Sequence, residues 1–545
     1  MLRRLVHSFR RLARYLPAMM LWAAFPPLGE TNDVFFALAP LVWYARNRTP
    51  RQSARLWFAN GMLYWIATLA WMPAIVKNGG PWPLVALGWG LLSAYCALYF
   101  AAFGWMSSSI WNWTRGRRYG WRLFTILAVE PVLWAGFELA RSRLFGGFAW
   151  NQTGVALANG GFGAPASLGG VYLLGAVAML VNGTAASIAD RVLAGRAGVP
   201  VWRVHPLVRC AETVLPFAAI AALYAAAPRA GAVANPEGGG RRLLNAALVQ
   251  RNFPCVFDRG GNRGGDSYPA LFRSVSAAAP DLVVLPESAL AEHGDIGSGR
   301  AAAFATAAMR ETGAKAVLAG GSRSEGTRLY NSAALYDADG GLQIYDKVHL
   351  VPFGEYVPGD KIFPALQKLA PVGSCTPGEP RLLNFEGLKL AVAICFEDTD
   401  SALVRRGALD GADALVFITN DSWFSHSTEA LQHAWQATAR AIETGLPVLR
   451  AGNSGVTGAI APDGTAQWLS DADGTPLVDA AGAMTAVVEC APAGAARAAT
   501  PYARWGDTPL AAAFLLLIAA AFLVEYGTRY GKDRAIVPVR FGQEL

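Results

Sequence analysis

The sequence predicts a polytopic α-helical membrane domain with eight transmembrane helices, joined to an extracytoplasmic α/β domain. Three observations lead to this fold class. Hydrophobic residues make up 53% of the 545 residues and charged residues only 16%, which is too apolar for an ordinary soluble protein. The apolar residues are concentrated in separate stretches, and between the last two stretches a long segment alternates strand-like and helix-like runs.

Eight apolar stretches account for the predicted membrane helices. They cover residues 16–27, 34–44, 57–76, 82–105, 121–139, 164–188, 211–227 and 510–525. A helix needs about 20 residues to cross the hydrocarbon core, so the first two stretches are short. We expect them to be tilted, extended by their flanks or packed together as half-spans. The N-terminal arginines and apolar run could also indicate a signal peptide, but six further spans favour a retained first helix.

The placement of basic residues predicts the orientation. Residues 1–15 carry five arginines, and the three even-numbered short connections carry four each. The odd-numbered short connections together hold only Lys77, Arg141 and Arg143. Because basic residues beside spans are retained in the cytoplasm, both termini are expected there and the segment 228–508 outside. The net charge of +8 reflects this topology and gives no argument for a nucleic-acid partner.

The segment outside the cytoplasm has the pattern of a layered α/β domain. Strands are predicted at 243–250, 281–287, 315–321, 330–337, 389–395, 413–420, 446–452, 456–461 and 484–490, and helices at 268–279, 299–312 and 428–444. Several strands are apolar on both faces, as expected when both faces are covered. The predicted domains are therefore a membrane domain (1–230), an α/β domain (243–498) and an eighth span with a cytoplasmic tail (508–545).

The cysteine and motif content argues against a metal or a bound cofactor. The six cysteines are scattered, with no CxxC pair and no metal-like spacing to histidines. No phosphate-binding P-loop occurs either. A disulfide among Cys255, Cys375 and Cys490 is compatible with an oxidising compartment, and the sequence leaves that pairing open.

Residues with catalytic chemistry follow several predicted strands. Glu287 follows DLVVLP, Cys395 follows KLAVAI, and Lys347 follows LQIYD. A thiol is only a few per cent ionised near neutral pH, so a catalytic one needs a base and is helped by a cation. Glu287 is the candidate base and Lys347 the candidate cation. Lys347 would also stabilise the oxyanion, together with the backbone N–H of Phe396, while Glu355 could orient Lys347 or share the proton transfer.

Each of these residues alone would more often be structural or solvated, and their joint presence in particular motifs changes this interpretation. The stretches LPES (285–288), DKVHLVPFGEYVP (346–358), ICFED (394–398), NDSWF (420–424), RAGNSGVTGAI (450–460) and TPYARWGD (500–507) resemble the carbon–nitrogen hydrolase (nitrilase) superfamily. In particular they resemble its membrane-embedded branch, the apolipoprotein N-acyltransferases. The resemblance implies a bacterial cytoplasmic (inner) membrane protein with eight transmembrane helices and a periplasmic nitrilase-like αββα sandwich.

The resemblance also implies roles for single residues. It places the family's Glu-Lys-Cys triad on Glu287, Lys347 and Cys395, and its supporting glutamates on Glu355 and Glu397. Two positions depart from the family pattern. One is the residue after the nucleophile, where Tyr is common and this chain has Phe396; the other is the stretch at 420–425, where NDAWFG is usual and this chain has NDSWFS.

Further residues are candidates for substrate binding: Asn331, Asn420, Trp423, Phe424 and Phe363. Trp423 and Phe424 are expected to line an acyl groove or to be simple core packing. Phe363 belongs to the apolar segment 359–375, which is either a mobile arm dipping into the lipid bilayer or a helix packed on the domain surface.

The implied reaction is a two-step acyl transfer. Cys395 takes an acyl chain from a phospholipid, expected to be phosphatidylethanolamine, as a thioester, and the N-terminal α-amine of diacylglyceryl-cysteine on an apolipoprotein then accepts it. An amide is more stable than a thioester, so no ATP is needed. Two alternatives stay open: a membrane-tethered amidase or nitrilase acting on a small C–N compound, and a transporter with an inactive nitrilase-like sensing domain. Glu130 and Glu138 in the fifth span are the candidates for transport.

Overall fold

A computed structural model describes residues 13–114, 119–196, 206–228, 242–253, 267–360, 374–492 and 499–533. The described chain starts with a helical part. Its helices are α1 (Leu16–Ala23), α2 (Ala39–Arg46), α3 (Pro50–Thr68), α4 (Trp82–Thr114), α5 (Tyr119–Phe124), α6 (Glu130–Arg141), α7 (Thr153–Leu157), α8 (Ala166–Arg196) and α9 (Pro206–Ala226). Aromatic rings from three of them form its centre: Trp57, Phe103 and Trp134 lie with ring centroids 4.7 to 6.0 Å apart.

Four helical stretches are long and apolar enough to cross a membrane. They are Pro50–Asn78, Trp82–Thr114, Tyr119–Arg141 and Ala166–Val192, and two shorter apolar helices are Cys210–Ala226 and Thr508–Leu523. α1 and α2 have eight residues each, and at about 1.5 Å per residue neither described helix crosses a core about 30 Å thick. This agrees with the expectation of half-spans for the first two apolar stretches. The count of eight spans stays a prediction.

The connection between α1 and α2 includes a 3₁₀ helix (Thr31–Phe35) and is partly buried, and α8 supplies partners for its backbone. The side-chain amide of Asn182 donates to the carbonyl of Val34 at 2.8 Å, and its oxygen accepts the N–H of Leu38 at 2.8 Å. Asn182 is itself fully buried. Unpaired backbone groups are costly in apolar surroundings, so one asparagine allows a non-helical segment inside the helical part.

The α/β part is a sandwich of two six-stranded sheets, with strand orders β12-β1-β2-β3-β4-β5 and β11-β10-β9-β8-β7-β6. The strands are β1 (Arg242–Gln250), β2 (Leu282–Val284), β3 (Ala316–Glu325), β4 (Arg328–Asp337), β5 (Leu342–Asp346), β6 (Leu382–Phe385), β7 (Leu388–Ile394), β8 (Ala414–Asn420), β9 (Val448–Asn453), β10 (Gly458–Ile460), β11 (Ala466–Trp468) and β12 (Gly482–Cys490). The helices are α10 (Ser267–Ser276), α11 (Gly299–Thr312), α12 (Ser401–Leu409) and α13 (Glu429–Thr444).

Alternating side chains explain the αββα layers. Along β1, Ala246 and Leu248 enter the core between the sheets, whereas Ala247 and Val249 pack beneath α10 and α11. Such strands are apolar on both faces because both faces are covered. The pairs β1–β2, β2–β3, β7–β8 and β8–β9 are parallel, so residues following these strands collect at a shared edge of each sheet.

The two parts meet through a buried polar junction. After β12, the helices α14 (Pro501–Trp505) and α15 (Thr508–Asp533) return the chain to the helical part. Gln432 of α13 accepts the indole N–H of Trp150 at 2.8 Å and that of Trp71 at 3.3 Å. Arg143, which follows α6, pairs with Asp400 at 2.7 Å. These contacts fix the α/β part against the helical part.

Candidate active site

Cys395 lies at a sharp turn between a strand and a helix. β7 ends at Ile394, and a 3₁₀ helix runs from Cys395 to Thr399. Cys395 has a φ of 53°, in the left-handed region, which a residue other than glycine adopts at a cost of about 1–3 kcal/mol. The first N–H groups of a helix have no acceptor within that helix, so the turn presents the N–H of Phe396 beside the thiol. This geometry suits a nucleophile with an oxyanion donor next to it.

The carboxylate of Glu397 holds this turn in place. Its Oε2 accepts the N–H of Ile394 at 2.8 Å, and its Oε1 accepts the N–H of Val348 at 2.6 Å. Ile394 precedes Cys395, and Val348 follows Lys347. One buried carboxylate therefore fixes the backbone of both candidate catalytic residues and holds the strained turn.

Two further donors complete the environment of Glu397. The N–H of His349 donates to Oε1 at 2.9 Å, and the hydroxyl of Tyr345 donates to Oε2 at 3.0 Å. Glu397 has no exposed surface. A buried acceptor with this many partners is rigid, since any movement breaks several hydrogen bonds together.

Lys347, Glu287 and Glu355 form a buried charged cluster. The Nζ of Lys347 lies 2.9 Å from Oε1 of Glu355 and 3.9 Å from Oε1 of Glu287. Asn331, on β4, donates from Nδ2 to Oε1 of Glu287 at 2.6 Å and to Oε1 of Glu355 at 2.7 Å. Lys347 is only 1% exposed. Asn331 thus holds the two carboxylates on either side of the ammonium group, and it was predicted only as a substrate-binding residue.

The surroundings give the two carboxylates different properties. Burial raises the pKa of Glu287 above its ordinary value, although Lys347 opposes the shift. Burial also acts to raise the pKa of Glu355, but Lys347 and the amide of Asn331 hold it below its ordinary value. Burial would lower the pKa of Lys347, but Glu355 and Glu287 hold it above its ordinary value. Glu355 is therefore the ionised partner of Lys347, and Glu287 is the carboxylate suited to accept and return a proton.

The thiol of Cys395 meets this cluster. Desolvation by the surrounding protein raises the pKa of Cys395 well above its ordinary value, and Glu287 acts in the same direction while Lys347 opposes it. The thiol is therefore protonated at rest near neutral pH. The charged groups that act on the sulfur are Glu287 after β2, Lys347 after β5 and Asp421 after β8. The structure brings the three residues of the predicted triad together at one edge of the sandwich.

The aromatic candidates lie at the junction with the helical part. Phe396 stacks on Phe148 with ring centroids 6.2 Å apart and planes at 17°. Phe424 packs edge-on against Trp71 at 4.7 Å. The carbonyl of Trp423 accepts a hydrogen bond from Asn78 of the helical part at 2.7 Å. These residues form the contact between the two parts on the side of Cys395.

Two other candidates remain, one after β8 and one outside the described residues. Asn420 caps the turn after β8, where its Oδ1 accepts the N–H of Ser422 at 3.3 Å and the amide of Asn453 at 2.8 Å. Phe363 lies outside the described residues, as does most of the proposed arm, since residues 361–373 are not described. The arm stays a prediction.

Of the cysteines considered for a disulfide, Cys375, before β6, carries a free thiol. Cys490 is buried at the end of β12, and its pairing stays a prediction. Cys255 lies outside the described residues.

Behind Cys395 lies a buried charged network that the sequence analysis missed. His433 of α13 contacts Asp398 through Nε2 at 2.9 Å and Asp421 through Nδ1 at 3.0 Å. Arg450 of β9 donates to Asp398 at 2.6 Å and to Asp421 at 3.4 Å. These side chains come from separate elements, and no local spacing links them. The available signal was that Asp398, Asp421 and Arg450 lie in the ICFED, NDSWF and RAGNSGVTGAI stretches, whereas His433 lies in none of the quoted stretches.

The network fits two cations between two carboxylates better than it fits a metal ion. Asp421, Glu429 and His433 are close enough to share an ion, with their ligand atoms within 4.8 Å of one another. Burial acts to lower the pKa of His433, but Asp398 and Asp421 together raise it to about 10. Both ring nitrogens thus face carboxylates, as the two donors of an imidazolium do.

Comparison with known proteins gives the family. The family described as "Apolipoprotein N-acyltransferase N-terminal domain" matches residues 17–184, and that described as "Carbon-nitrogen hydrolase" matches residues 266–486. The apolipoprotein N-acyltransferase of Geobacter metallireducens is 31% identical over 466 residues, covering 82% of this chain and 84% of that protein. The protein of the same name from Vibrio cholerae is 27% identical over 525 residues, covering 92% of this chain and 95% of that protein.

Among solved structures, an amidase from Nesterenkonia sp. is 20% identical, covers 45% of this chain and 90% of its own, and has a TM-score of 0.34. The relatives with the fuller coverage match the helical part and the α/β part in the same order along the chain. The chain belongs to the apolipoprotein N-acyltransferase family.

Proposed function

We propose that this chain completes lipoprotein maturation by a two-step acyl transfer through Cys395. In the first step the Cys395 sulfur attacks an acyl ester of a phospholipid, with phosphatidylethanolamine as the proposed donor, and a lysophospholipid leaves. In the second step the free α-amine of diacylglyceryl-cysteine on an apolipoprotein attacks the thioester. An amide forms, and Cys395 is released for the next turnover.

The observation that carries this proposal is the position of the nucleophile between two apolar cores. Cys395 packs against the core between the two sheets, whereas the next residue, Phe396, packs against the core of the helical part. An enzyme acting on small soluble compounds gains nothing from this junction. An enzyme acting on a lipid benefits from it, because the acyl chain of the substrate can stay in apolar surroundings while its ester meets the thiol. Extracting a chain into water would cost about 0.8 kcal/mol per CH₂.

The cluster of titratable groups supplies the proton transfers. Glu287 takes the thiol proton as Cys395 attacks the ester carbonyl, and the oxyanion is stabilised by Lys347 and the N–H of Phe396. Lys347 remains a cation because Glu355 pairs with it. Glu287 then gives its proton to the departing glycerol oxygen. In the second step Glu287 takes a proton from the attacking amine, and Cys395 leaves as the thiol when that proton is returned.

The alternative functions have weaker support. Glu130 pairs with Arg46 at 2.6 Å inside the helical part, and Glu138 accepts the N–H and the hydroxyl of Thr153 at 2.8 and 3.0 Å. Both acids considered for transport thus have protein partners. An amidase that uses water as the acceptor would need no contact between the nucleophile turn and the helical part.

The placement in the cell is part of the proposal. We place the α/β domain (243–498) in the periplasm and both termini in the cytoplasm, with eight spans in the inner membrane. The distribution of arginine and lysine among the connections supports this orientation. The division into a membrane domain (1–230), the α/β domain and a last span with its tail (508–545) follows from it.

The test is an acyl-transfer assay on purified protein in phosphatidylethanolamine vesicles, with a diacylglyceryl-cysteine peptide as acceptor. We expect N-acylated peptide from the wild type and none from Cys395→Ala or Cys395→Ser, with both variants still inserted in the membrane. Free fatty acid formed at the same rate with and without the peptide would instead indicate a hydrolase. N-acylation by Cys395→Ala would overturn the mechanism.

A further inference from the structure

We propose that Thr419 is a further catalytic residue, whose hydroxyl is held by Asp421 at rest and turns to donate a hydrogen bond to the Cys395 sulfur when the thiol loses its proton. This inference rests on the proposed function, in which Cys395 is the nucleophile, and deepens it. No covalent bond changes in the step: the hydroxyl proton stays on Thr419, and the thiol proton goes to Glu287.

The register of two parallel strands places Thr419 beside the sulfur. In the β7–β8 ladder, Val392 is opposite Val416 and Ile394 is opposite Ile418. Continuing the register by one residue sets Cys395 next to Thr419 at the ends of the two strands. Thr419 is fully buried, and hydrogen bonding by its side chain acts to lower the pKa of the Cys395 thiol.

At rest the hydroxyl has another acceptor. The Oγ1 of Thr419 donates to Oδ1 of Asp421 at 2.7 Å. A hydroxyl carries one proton, so it can donate to Asp421 or to a thiolate but not to both. The neutral thiol is a weak acceptor, which leaves the carboxylate as the preferred partner before the reaction.

The carboxylate can release the hydroxyl at little cost. Asp421 keeps two cationic donors, Nδ1 of His433 at 3.0 Å and the guanidinium of Arg450 at 3.4 Å. His433 is fixed in turn by Asp398 at 2.9 Å. A buried carboxylate that loses one of several donors is not left unpaired, so the large penalty for an unsatisfied group does not arise. His433 and Arg450 thus act as positioning residues for Asp421.

A thiolate at this position needs a donor on the side of β8. The charged groups that face the sulfur are Glu287, Lys347 and Asp421. Glu287 becomes neutral when it accepts the thiol proton, and Lys347 stabilises the thiolate from the side of the first sheet. From β8 the sulfur faces the negative charge of Asp421, and the hydroxyl of Thr419 is the group there that can offer a proton.

The experiment compares Thr419→Val, which has the same shape without the hydroxyl, with Thr419→Ser, which keeps the hydroxyl. The rate of Cys395 alkylation by iodoacetamide is measured against pH on the purified full-length protein, by mass spectrometry of the Cys395 peptide. The hydroxyl exchanges one charged acceptor, Asp421, for another, the thiolate, so only the difference between the two hydrogen bonds shifts the midpoint; for Thr419→Val it should rise by about 0.5 to 1 pH unit. Thr419→Ser should keep the wild-type midpoint within about 0.3 units.

Thr419→Ala provides a second variant without the hydroxyl, in case valine disturbs folding, and should show the same upward shift. A midpoint equal to that of the wild type in a folded Thr419→Val or Thr419→Ala protein overturns the proposal. A matching shift in Thr419→Ser also overturns it, because packing and not the hydroxyl would then be the cause.

A parallel measurement separates this inference from the proposed function. Thioester formation from phosphatidylethanolamine vesicles should be about 3- to 10-fold slower in Thr419→Val at neutral pH, because the thiolate fraction falls in proportion to the pKa shift. A wild-type protein that forms no thioester refutes the proposed function and the nucleophile role on which this inference rests. A wild-type protein that forms the thioester, with an alkylation profile unchanged in Thr419→Val, refutes the role of Thr419 alone.

Discussion

Replacing Glu397 by glutamine tests whether one buried carboxylate holds the nucleophile turn. The change keeps the shape of the side chain but turns one acceptor oxygen into an NH₂ donor. In the wild type Oε1 accepts the N–H groups of Val348 and His349, and Oε2 accepts the N–H of Ile394. The hydroxyl of Tyr345 lies 3.0 Å from Oε2 and 3.1 Å from Oε1, so it can donate to whichever oxygen a glutamine amide retains. Of the backbone donors, the amide can keep either the pair or the single N–H, and it keeps the pair because fewer N–H groups are then left without an acceptor.

The cost follows from that count. One buried N–H without a partner costs about 1–3 kcal/mol, whereas the opposite orientation of the amide would leave two. The unpaired group in the favoured orientation is the N–H of Ile394, directly before Cys395. The left-handed turn at Cys395 then loses its restraint. If that energy must be supplied to rebuild the turn before the attack, acylation slows by about 5- to 150-fold at 25 °C.

The assay is single-turnover acylation of Cys395 in vesicles, together with an unfolding midpoint. We expect kcat to fall in Glu397→Gln while the KM for phospholipid is unchanged, since Glu397 is buried and has no surface to contact the lipid. Glu386→Gln is the matched control, because Glu386 lies between β6 and β7, is 44% exposed and meets Lys315 at 3.1 Å. Its effect should stay within about 0.5 kcal/mol. Acylation at the wild-type rate by Glu397→Gln, or a change confined to KM, would refute the claim that the Glu397 carboxylate holds the turn at Cys395.

Three further predictions concern the cluster, the buried network and the junction. Lys347→Met removes the cation beside Glu287, so the base stays protonated and the oxyanion loses a donor; thioester formation should fall by about 10³-fold or more. His433 has a folded pKa of about 10 against about 6.5 when unfolded, so its contribution to stability is complete below pH 6.5 and is lost as the pH rises through 10. The stability difference between wild type and His433→Gln, measured by thermal unfolding, should therefore shrink from about pH 8 to about pH 10.5. Phe396→Tyr keeps the ring stacked on Phe148, so kcat in the vesicle assay should change by less than about threefold.

Each of these predictions has a contrary outcome. Lys347→Met with more than about a tenth of wild-type activity would mean that the ammonium does not act in the transition state. A His433→Gln difference that persists to about pH 10.5 would mean that the folded ring is not an imidazolium at neutral pH. A tenfold or larger loss in Phe396→Tyr would show that the contact with Phe148 does not tolerate a hydroxyl.

The residues around the thiol were largely predictable because each follows an apolar run. Glu287 and Cys395 come directly after strands whose neighbours are parallel, and parallel strands end at a common edge. Lys347 follows β5, the edge strand of the first sheet, and sits in a stretch with a family resemblance. The pattern of the strands therefore predicted the layered fold and the position of these side chains at its rim, whereas their chemical roles stay a prediction that rests on the family resemblance.

The support behind the thiol was not predictable, because it depends on distant contacts. His433 sits in a helix, Arg450 in a strand and Thr419 in a fully apolar run, and no spacing in the sequence relates them. Glu397 was identified from a motif, but its bond to Val348 appears only when β5 and β7 are brought together in the sandwich. The same holds for Asn182, whose hydrogen bonds to Leu38 and Val34 join residues 144 and 148 positions apart in the sequence.

The most direct test of the central claim is the mass of the Cys395 peptide after wild-type protein is incubated with phosphatidylethanolamine vesicles and no acceptor. We expect one acyl chain on Cys395, lost when a diacylglyceryl-cysteine peptide is added, with the chain recovered as an amide on that peptide. An acyl chain on another residue, or no covalent acyl-enzyme while the peptide is still N-acylated, would contradict the account.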